Sequence, residues 1–458
     1  MSKLWGGRFD KKSDSLADEF SFSIDYDYRL AKCDVIVSQA HVDMLAKCGI
    51  ITKTDAAKLI SGLKKIEKEI EEGKFKFNPK EEDIHSDIQS RLKKSIGAPA
   101  DKLHTARSRN DLIVCDMKMY LLIEIPMIIN YLAQLQKAII GLAEKYSEVI
   151  IPAYTHLQAA QVVLFSHHLL AYVEMLERDK WRLLNTVERA DVMPLGSCAL
   201  SGTSLPINRK MVAESLGFDA VTPNSIDSVS DRDFIVETLS SLAIVGMHFS
   251  RMAEDMILWA TTEFNFVDID MSLCTGSSIM PHKKNPDMCE LIRGESAKLY
   301  ANLQEILVLL KGLPLTYNRD LQLDKPPLFE SLEKVEIMTQ LLTKTYATLK
   351  VKEDVLENRI QHESFFSVDV MEYLIKKGVS YRDAHDVIGK MVRDCIDKGN
   401  KLTDMEIKTW KKFHPKFEED VKKLLNPKMS VKIKQSFGST NPSMVKKQIK
   451  EWKKILKE

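Results

Sequence analysis

At 458 residues the chain is long enough for two or three domains and a sizeable buried core. Its 66 Lys and Arg against 65 Asp and Glu leave a net charge of +1, so there is no basic excess for nucleic acid and no acidic tail. Seven Cys, at 33, 48, 115, 198, 274, 289 and 395 with no Cys-x-x-Cys among them, suit reduced thiols in a cytoplasmic protein and argue against a disulfide framework or a zinc site.

Met1-Ser2-Lys3-Leu4-Trp5-Gly6-Gly7-Arg8 has no apolar core, so no secretion signal is expected, and Trp5 to Phe9 reads as a turn. Helical patterns follow near 29–48 and 54–72, separated by Gly49 and a cap-like Thr52/Thr54 segment. Lys74 to Phe77 alternates and reads as a short extended piece. Glu81-Glu82-Asp83-Ile84-His85-Ser86-Asp87 is acidic at a helix start, as the helix dipole prefers, and Gly97-Ala98-Pro99 ends that element. From Leu112 the character changes: apolar residues recur at helical spacing through Leu142, with Pro126 expected to bend a helix of roughly ten turns. Four more long patterns run over about 160–190, 228–263, 288–310 and 328–349. An uncharged run from Val149 to Val173 exceeds membrane length, but its Thr155, His156, Gln158 and Gln161 would be unsatisfied in a bilayer. Beyond residue 362 the helices shorten, with breaks at Gly378, Gly399, Pro415, Pro427 and Gly438. The expectation is a mainly all-α protein of three domains: a mixed, mostly helical 1–111, a central bundle of five long helices over 112–362, and a small helical 363–458. Helices this long, apolar on more than one face, imply burial against other copies of the chain. The Lys-rich C-terminal end, Lys446 to Lys457, reads as the solvated face of a helix.

Polar segments interrupt this framework. Thr275-Gly276-Ser277-Ser278-Ile279-Met280-Pro281-His282-Lys283-Lys284-Asn285-Pro286-Asp287 is broken by one Gly and two Pro, so neither helix nor regular strand is expected. Its Ser hydroxyls can exchange a proton, Lys283 offers a point charge to an oxyanion, and Asn285 can donate a directed hydrogen bond. Its spacing does not fit a phosphate loop. His104-Thr105-Ala106-Arg107-Ser108-Arg109-Asn110-Asp111 places two guanidinium groups at a helix start, a good carboxylate site or else a plain capped terminus. Tyr154-Thr155-His156-Leu157-Gln158 carries a His able to transfer protons near neutral pH, or a structural His. Leu195-Gly196-Ser197-Cys198-Ala199-Leu200-Ser201-Gly202-Thr203 reads either as a donor-lined pocket wall or as a connection.

Gly276-Ser277-Ser278-x-Met280-Pro281-x-Lys283-x-Asn285-Pro286 resembles the signature of the fumarase/aspartase superfamily. Among its members the pattern is most similar to the argininosuccinate lyases. The match takes in Leu4 to Phe9, Glu82-Asp83-Ile84-His85, Lys102 to Asp111, Tyr154 to Gln158, Asp231-Arg232-Asp233, Glu290 to Gly294 and Leu313 to Lys325. Two departures stand out: Ala106 where the family usually has Gly, and His282 where Gln is common. The uninterrupted Ala-Ser-Gly of histidine-type ammonia lyases is missing from 195–203.

The resemblance implies reversible cleavage of argininosuccinate to arginine and fumarate. Ser277 would abstract the proton, with His156 as the other acid/base group, Glu290 as its charge partner, and Lys283 and Asn285 stabilising the anion. Substrate contacts would come from Ser23, Arg107, Ser108, Asn110, Thr155, Tyr317, Gln322 and Lys325. The resemblance also implies a cytoplasmic homotetramer whose sites draw segments from three subunits, with no metal and no organic cofactor. The alternatives are a superfamily lyase acting on adenylosuccinate, aspartate or malate, and a noncatalytic crystallin-like protein of the same fold.

Overall fold

A computed structural model describes residues 14–457, so the Leu4–Phe9 match and the turn expected there lie outside the described residues. The fold is mainly α-helical. Ala31–Lys47 (α1) packs against Lys53–Glu71 (α2), which begins where the Thr52 hydroxyl accepts the Asp55 N–H. Ile84–Ile96 (α3) starts at Asp83, whose carboxylate accepts the Ser86 N–H at 2.8 Å, and stops at Gly97, whose φ of 72° is costly for any residue with a Cβ. Lys74 to Phe77 is irregular rather than extended. The N–H groups of Lys74 and Phe75 return to the Glu69 carbonyl and close the end of α2, leaving no donor pattern for a ladder.

Five long helices dominate: Arg109–Lys145 (α4), Phe165–Ala190 (α5), Asp233–Ala260 (α6), Asp287–Leu310 (α7) and Lys325–Thr348 (α8). The first continues through Pro126. Two expected starts move. The helix placed from about 160 begins at Phe165, because Ile150–Thr155 (β1) and Gln158–Leu164 (β2) form an antiparallel hairpin with Ile150 opposite Leu164 and Thr155 opposite Gln158. The run Val162-Val163-Leu164 is apolar enough for either structure, and strand pairing is a non-local choice. The helix placed from 228 begins at Asp233, after a separate turn of helix at Ser225–Ser230; the Asp231 carboxylate accepts the Asp233 N–H at 2.8 Å and restarts the chain. Later helices are shorter, among them Ser367–Lys376 (α9), Tyr381–Lys398 (α10) and Pro442–Ile455 (α11). Thr275–Gly276 (β3) pairs antiparallel with Lys284–Asn285 (β4).

Close contacts divide the chain into two compact units, and the divisions fall inside the long helices. The first takes in the chain up to Ile129, Trp181–Ile244 and Lys298–Val335. Its core draws on α1, α2, α3 and the start of α4, with Val35, Leu45, Leu59, Leu63, Ile88 and Leu112 all buried. Here Asn302 Nδ2 on α7 donates to the Pro327 carbonyl at 3.2 Å and the Ser331 hydroxyl at 3.0 Å on α8. The second takes in Asn130–Lys180, Val245–Ala297 and the chain from Glu336. In it Gln136 on α4 donates to the Val173 carbonyl on α5 at 3.0 Å, and His248 on α6 meets Asp179 on α5 at 2.7 Å. A separate apolar core, with Leu374, Met391, Trp410 and Phe417, lies within 370–421. Among the described residues no helix is long and apolar enough to cross a membrane.

Candidate active site

In the second unit, β1 and β2 present His156 at a two-residue turn. His156 and Leu157 have φ of 54° and 57°, a left-handed pair that favours Asn-Gly in such turns. Leu157 in particular is poorly suited to it, and backbone strain of this kind gathers at functional sites. Thr155, His156 and Leu157 are all exposed in the single chain.

The 275–287 segment is a loop closed by β3 and β4, so its ends are paired while its tip is irregular. The Ser277 hydroxyl oxygen accepts the backbone N–H of Met280 at 3.1 Å and, more weakly, that of Ile279 at 3.4 Å. Both donors favour negative charge on that oxygen. The two lysines differ. Lys284 is tied to Asp268 at 2.6 Å and to the Ile269 carbonyl at 2.7 Å, whereas the exposed Lys283 has no side-chain partner among the described residues. Thr275 hydrogen-bonds Asp287 at the foot of the loop. Glu290 is exposed one turn into α7, and among the described residues no ion pair joins it to His156 within one chain.

In the first unit, Glu82 gathers three segments. Its carbonyl accepts the Ser23 N–H at 2.9 Å, and its carboxylate faces Arg319 at 3.2 Å and Arg109 at 3.5 Å. Arg319 and Gln322 both donate to the Ser21 carbonyl, at 2.7 and 3.0 Å. The Ser23 hydroxyl donates to Asp27 at 2.6 Å, and burial lifts the Asp27 carboxyl to about 6. Arg109 also reaches Ser86 at 2.6 Å and Asp83 at 3.2 Å. Ser23, Asn110, Tyr317 and Gln322 therefore belong to one set of linked segments. Burial raises the Tyr317 hydroxyl. Lys325 is not the solvated loop lysine that a neighbouring proline suggests: it is 3% exposed and bonds Asp324 at 2.8 Å. Asp324 also pairs with Arg232, and these two cations hold its carboxyl below the usual range although burial opposes them.

Ser108 and Asn110 sit at the head of α4. Asp111 accepts the Ser108 N–H at 2.9 Å with one oxygen and the N–H groups of Gly196 and Cys198 at 2.8 and 2.7 Å with the other. Asn110 donates to the Ala199 carbonyl at 3.1 Å. The 195–203 segment thus packs against the head of α4, and two of its backbone donors are spent on Asp111. Arg107 is buried, donating to Ser38 at 3.0 Å and His104 at 3.2 Å, with Nη2 unpartnered. Burial lowers the Arg107 guanidinium from its ordinary value.

Behind it, Asp34, His85 and Asp116 bring ligand-type atoms within 4.8 Å of one another. That spacing would suit a metal, but two internal cations already serve these carboxylates. Burial opposes the charged imidazole of His85, yet the Asp34 carboxylate bonded to it carries His85 to about 9. Arg107 supplies the second charge. Both Asp116 oxygens lack a hydrogen-bond partner, and burial pushes its carboxyl well above the ordinary range. Glu82 and His85 stand within the matched sequence pattern, but nothing local assigned them a task; their partners Arg109, Arg319, Asp34 and Asp116 all lie more than 25 residues away in the chain.

Comparison with known proteins gives a lyase family model matching residues 7–300 and an argininosuccinate lyase C-terminal model matching 366–432. The argininosuccinate lyase of Listeria monocytogenes is 46% identical over 100% of both chains. That of Symbiobacterium thermophilum is 45% identical over 98% of this chain and 97% of its own. Among solved structures, EDDS lyase in complex with formate aligns with a TM-score of 0.85 at 26% identity, covering 96% of this chain and 89% of that one. A class II fumarase from Schistosoma mansoni shares the fold, with a TM-score of 0.77 at 14% identity over 90% of this chain and 93% of that one.

Proposed function

The chain belongs to the argininosuccinate lyase family, and from that membership we propose that it cleaves argininosuccinate reversibly to L-arginine and fumarate, as a step of arginine biosynthesis. The difficult step is removal of a weakly acidic C–H proton beside a carboxylate. Ser277 takes that proton, and the electron pair spreads into the carboxylate as a dianion. An unaided serine is a poor base. The observation that carries the reading is the Ser277 oxygen already accepting two backbone N–H groups, in the same loop as a Lys283 whose side chain has no partner among the described residues. Lys283 and Asn285 hold the dianion. Its collapse forms the C=C bond of fumarate and breaks the C–N bond, and His156, steadied by Glu290, protonates the departing guanidino nitrogen.

The substrate's three carboxylates are held by Ser23, Ser108, Asn110, Thr155, Tyr317, Gln322 and Lys325, with Arg107 lending charge from beneath the 104–111 segment. The protein works as a homotetramer, each site drawing segments from three copies. Two features support this. Thr155, His156, Ser278, Lys283 and Glu290 are all open to water in one chain, where an anion of this kind would be quenched. The long helices also expose Met127, Trp181, Tyr300, Leu307, Val308 and Ile337. Three domains, 1–111, 112–362 and 363–458, describe the chain, the last supported by its own apolar core. Seven unpaired cysteines support a cytoplasmic location.

Fumarate release from argininosuccinate by the purified protein tests the reading, with adenylosuccinate, aspartate and malate in parallel. Turnover of one of those three instead overturns the substrate assignment. Mixing Ser277→Ala with Asn110→Ala, each inactive alone, restores activity if sites are shared between copies. Verified subunit exchange without recovery rules sharing out.

A further inference from the structure

The 104–111 segment is held in a conformation its own sequence disfavours. Ala106 has a φ of 58°, in the left-handed region, which costs a residue with a Cβ about 1 kcal/mol. Such backbone persists only where tertiary contacts over-determine it. Three contacts do so here. His41 Nε2 meets the Thr105 carbonyl at 2.8 Å, the Cys198 thiol approaches the Ala106 carbonyl at 3.3 Å, and the Arg107 side chain is anchored in the interior.

The Arg107 anchor is the most elaborate. Arg107 Nη1 donates to the Ser38 hydroxyl at 3.0 Å, and that hydroxyl donates to Asp34 Oδ1 at 3.0 Å. The other Asp34 oxygen is bonded to His85 Nδ1, and Asp116 lies 3.8 Å from the same nitrogen. Ser38 is wholly buried and stands between guanidinium and carboxylate. Of the groups given a part in the reaction, it hydrogen-bonds Arg107. Ser108 and Asn110 follow closely in the chain, so the Arg107 anchor acts on them together with the bonds to Asp111 and the Ala199 carbonyl.

We propose that Ser38 and Asp34 are positioning residues: through Arg107 they lock the 104–111 segment in its strained form, so that Ser108 and Asn110 are preset for a carboxylate of the substrate. This rests on the argininosuccinate reading for the identity of the ligand, but not for the locking itself. Locking of this kind acts on substrate capture, because a loosened segment must be re-ordered each time a ligand binds.

The test compares Ser38→Ala with Ser38→Thr, which keeps the hydroxyl. Asp34→Asn is the harsher partner, because it strips the buried His85 of its counter-charge. Ser38→Ala is expected to raise KM about tenfold with kcat within about twofold, and Ser38→Thr to bring KM back to within about twofold of wild type. Hydrogen exchange of the backbone amides of 104–111, which needs no substrate, is expected to speed up about tenfold in Ser38→Ala and to return toward wild type in Ser38→Thr. If Ser38→Ala does not fold, Ser38→Cys, close in size with a weaker donor, is expected to give the same KM rise at smaller amplitude. A folded variant with wild-type KM and unchanged exchange overturns the proposal. So does a fall in kcat at constant KM, which would mark Ser38 as merely structural. Should the unaltered protein fail to turn over argininosuccinate, the functional reading falls alone, and the exchange measurements decide the locking.

Discussion

Replacing His156 by Asn separates what the hairpin tip costs from what it does. His156 and Leu157 occupy left-handed backbone at φ 54° and 57°, each at a cost of about 1 kcal/mol. Asn tolerates that region better than most residues, because its short side chain bonds locally to the backbone. His156 is exposed and no hydrogen bond of its ring is found among the described residues, so its removal leaves no buried group unsatisfied. His156→Asn should therefore keep or raise stability, by about 0.5 kcal/mol, seen as a melting temperature unchanged or higher by about 1–2 °C. The same change removes the acid that protonates the leaving nitrogen and should lower kcat by at least ~10². Calorimetry and fumarate release on one preparation give both numbers. A variant with near-normal kcat removes His156 from the mechanism. A variant that melts several degrees lower refutes the account of strain at the turn.

Three further outcomes follow from contacts described above. Lys283→Met should lower kcat by at least ~10² with little change in melting temperature, while Lys284→Met, which breaks the bonds to Asp268 and the Ile269 carbonyl, should loosen the loop to proteolysis; exchanged phenotypes would reverse which lysine serves the anion. Burial favours the protonated form of Asp116, so its folded value lies above its unfolded value of about 4, and the stability it permits is complete below that pH and declines as pH rises toward the folded value. Asp116→Asn, neutral at every pH, should flatten the decline, and denaturation curves at pH 5 and 8 that stay parallel for the two proteins would contradict this. Ala106→Gly should stabilise the chain by about 0.5–1 kcal/mol by relieving the φ of 58°, as urea unfolding would report, and a loss of stability would show that the contacts around Ala106 matter more than its backbone.

The Gly that the resemblance leads one to expect at position 106 would suit that same angle. The sequence marks the departure, but only the backbone reveals that the position is left-handed and what the departure costs.

The long helices, their caps and the polar interruptions were legible in the sequence because they rest on local rules. Apolar spacing of 3.6, a capping Thr52 or Asp83 and a terminal Gly97 or Gly399 each act within a few residues. The signature around Ser277 and Lys283 was legible for another reason: its residue types at fixed spacing are specific whatever surrounds them. The hairpin of β1 and β2 was not legible, since Ala160 to Leu164 fits a helix or a strand equally and pairing with Ile150–Thr155 decided between them. The rank of neighbouring like residues was also decided in space. Lys283 and Lys284 differ through Asp268 and the Ile269 carbonyl, some fifteen residues upstream of both. Arg107 and Arg109 differ because one finds Ser38 and the interior while the other finds Glu82, Asp83 and Ser86. Lys325 is buried on Asp324 although its neighbourhood reads as a loop. Burial and counter-charge depend on partners far away in the chain, so residue type and spacing name the candidates while tertiary structure assigns each its environment.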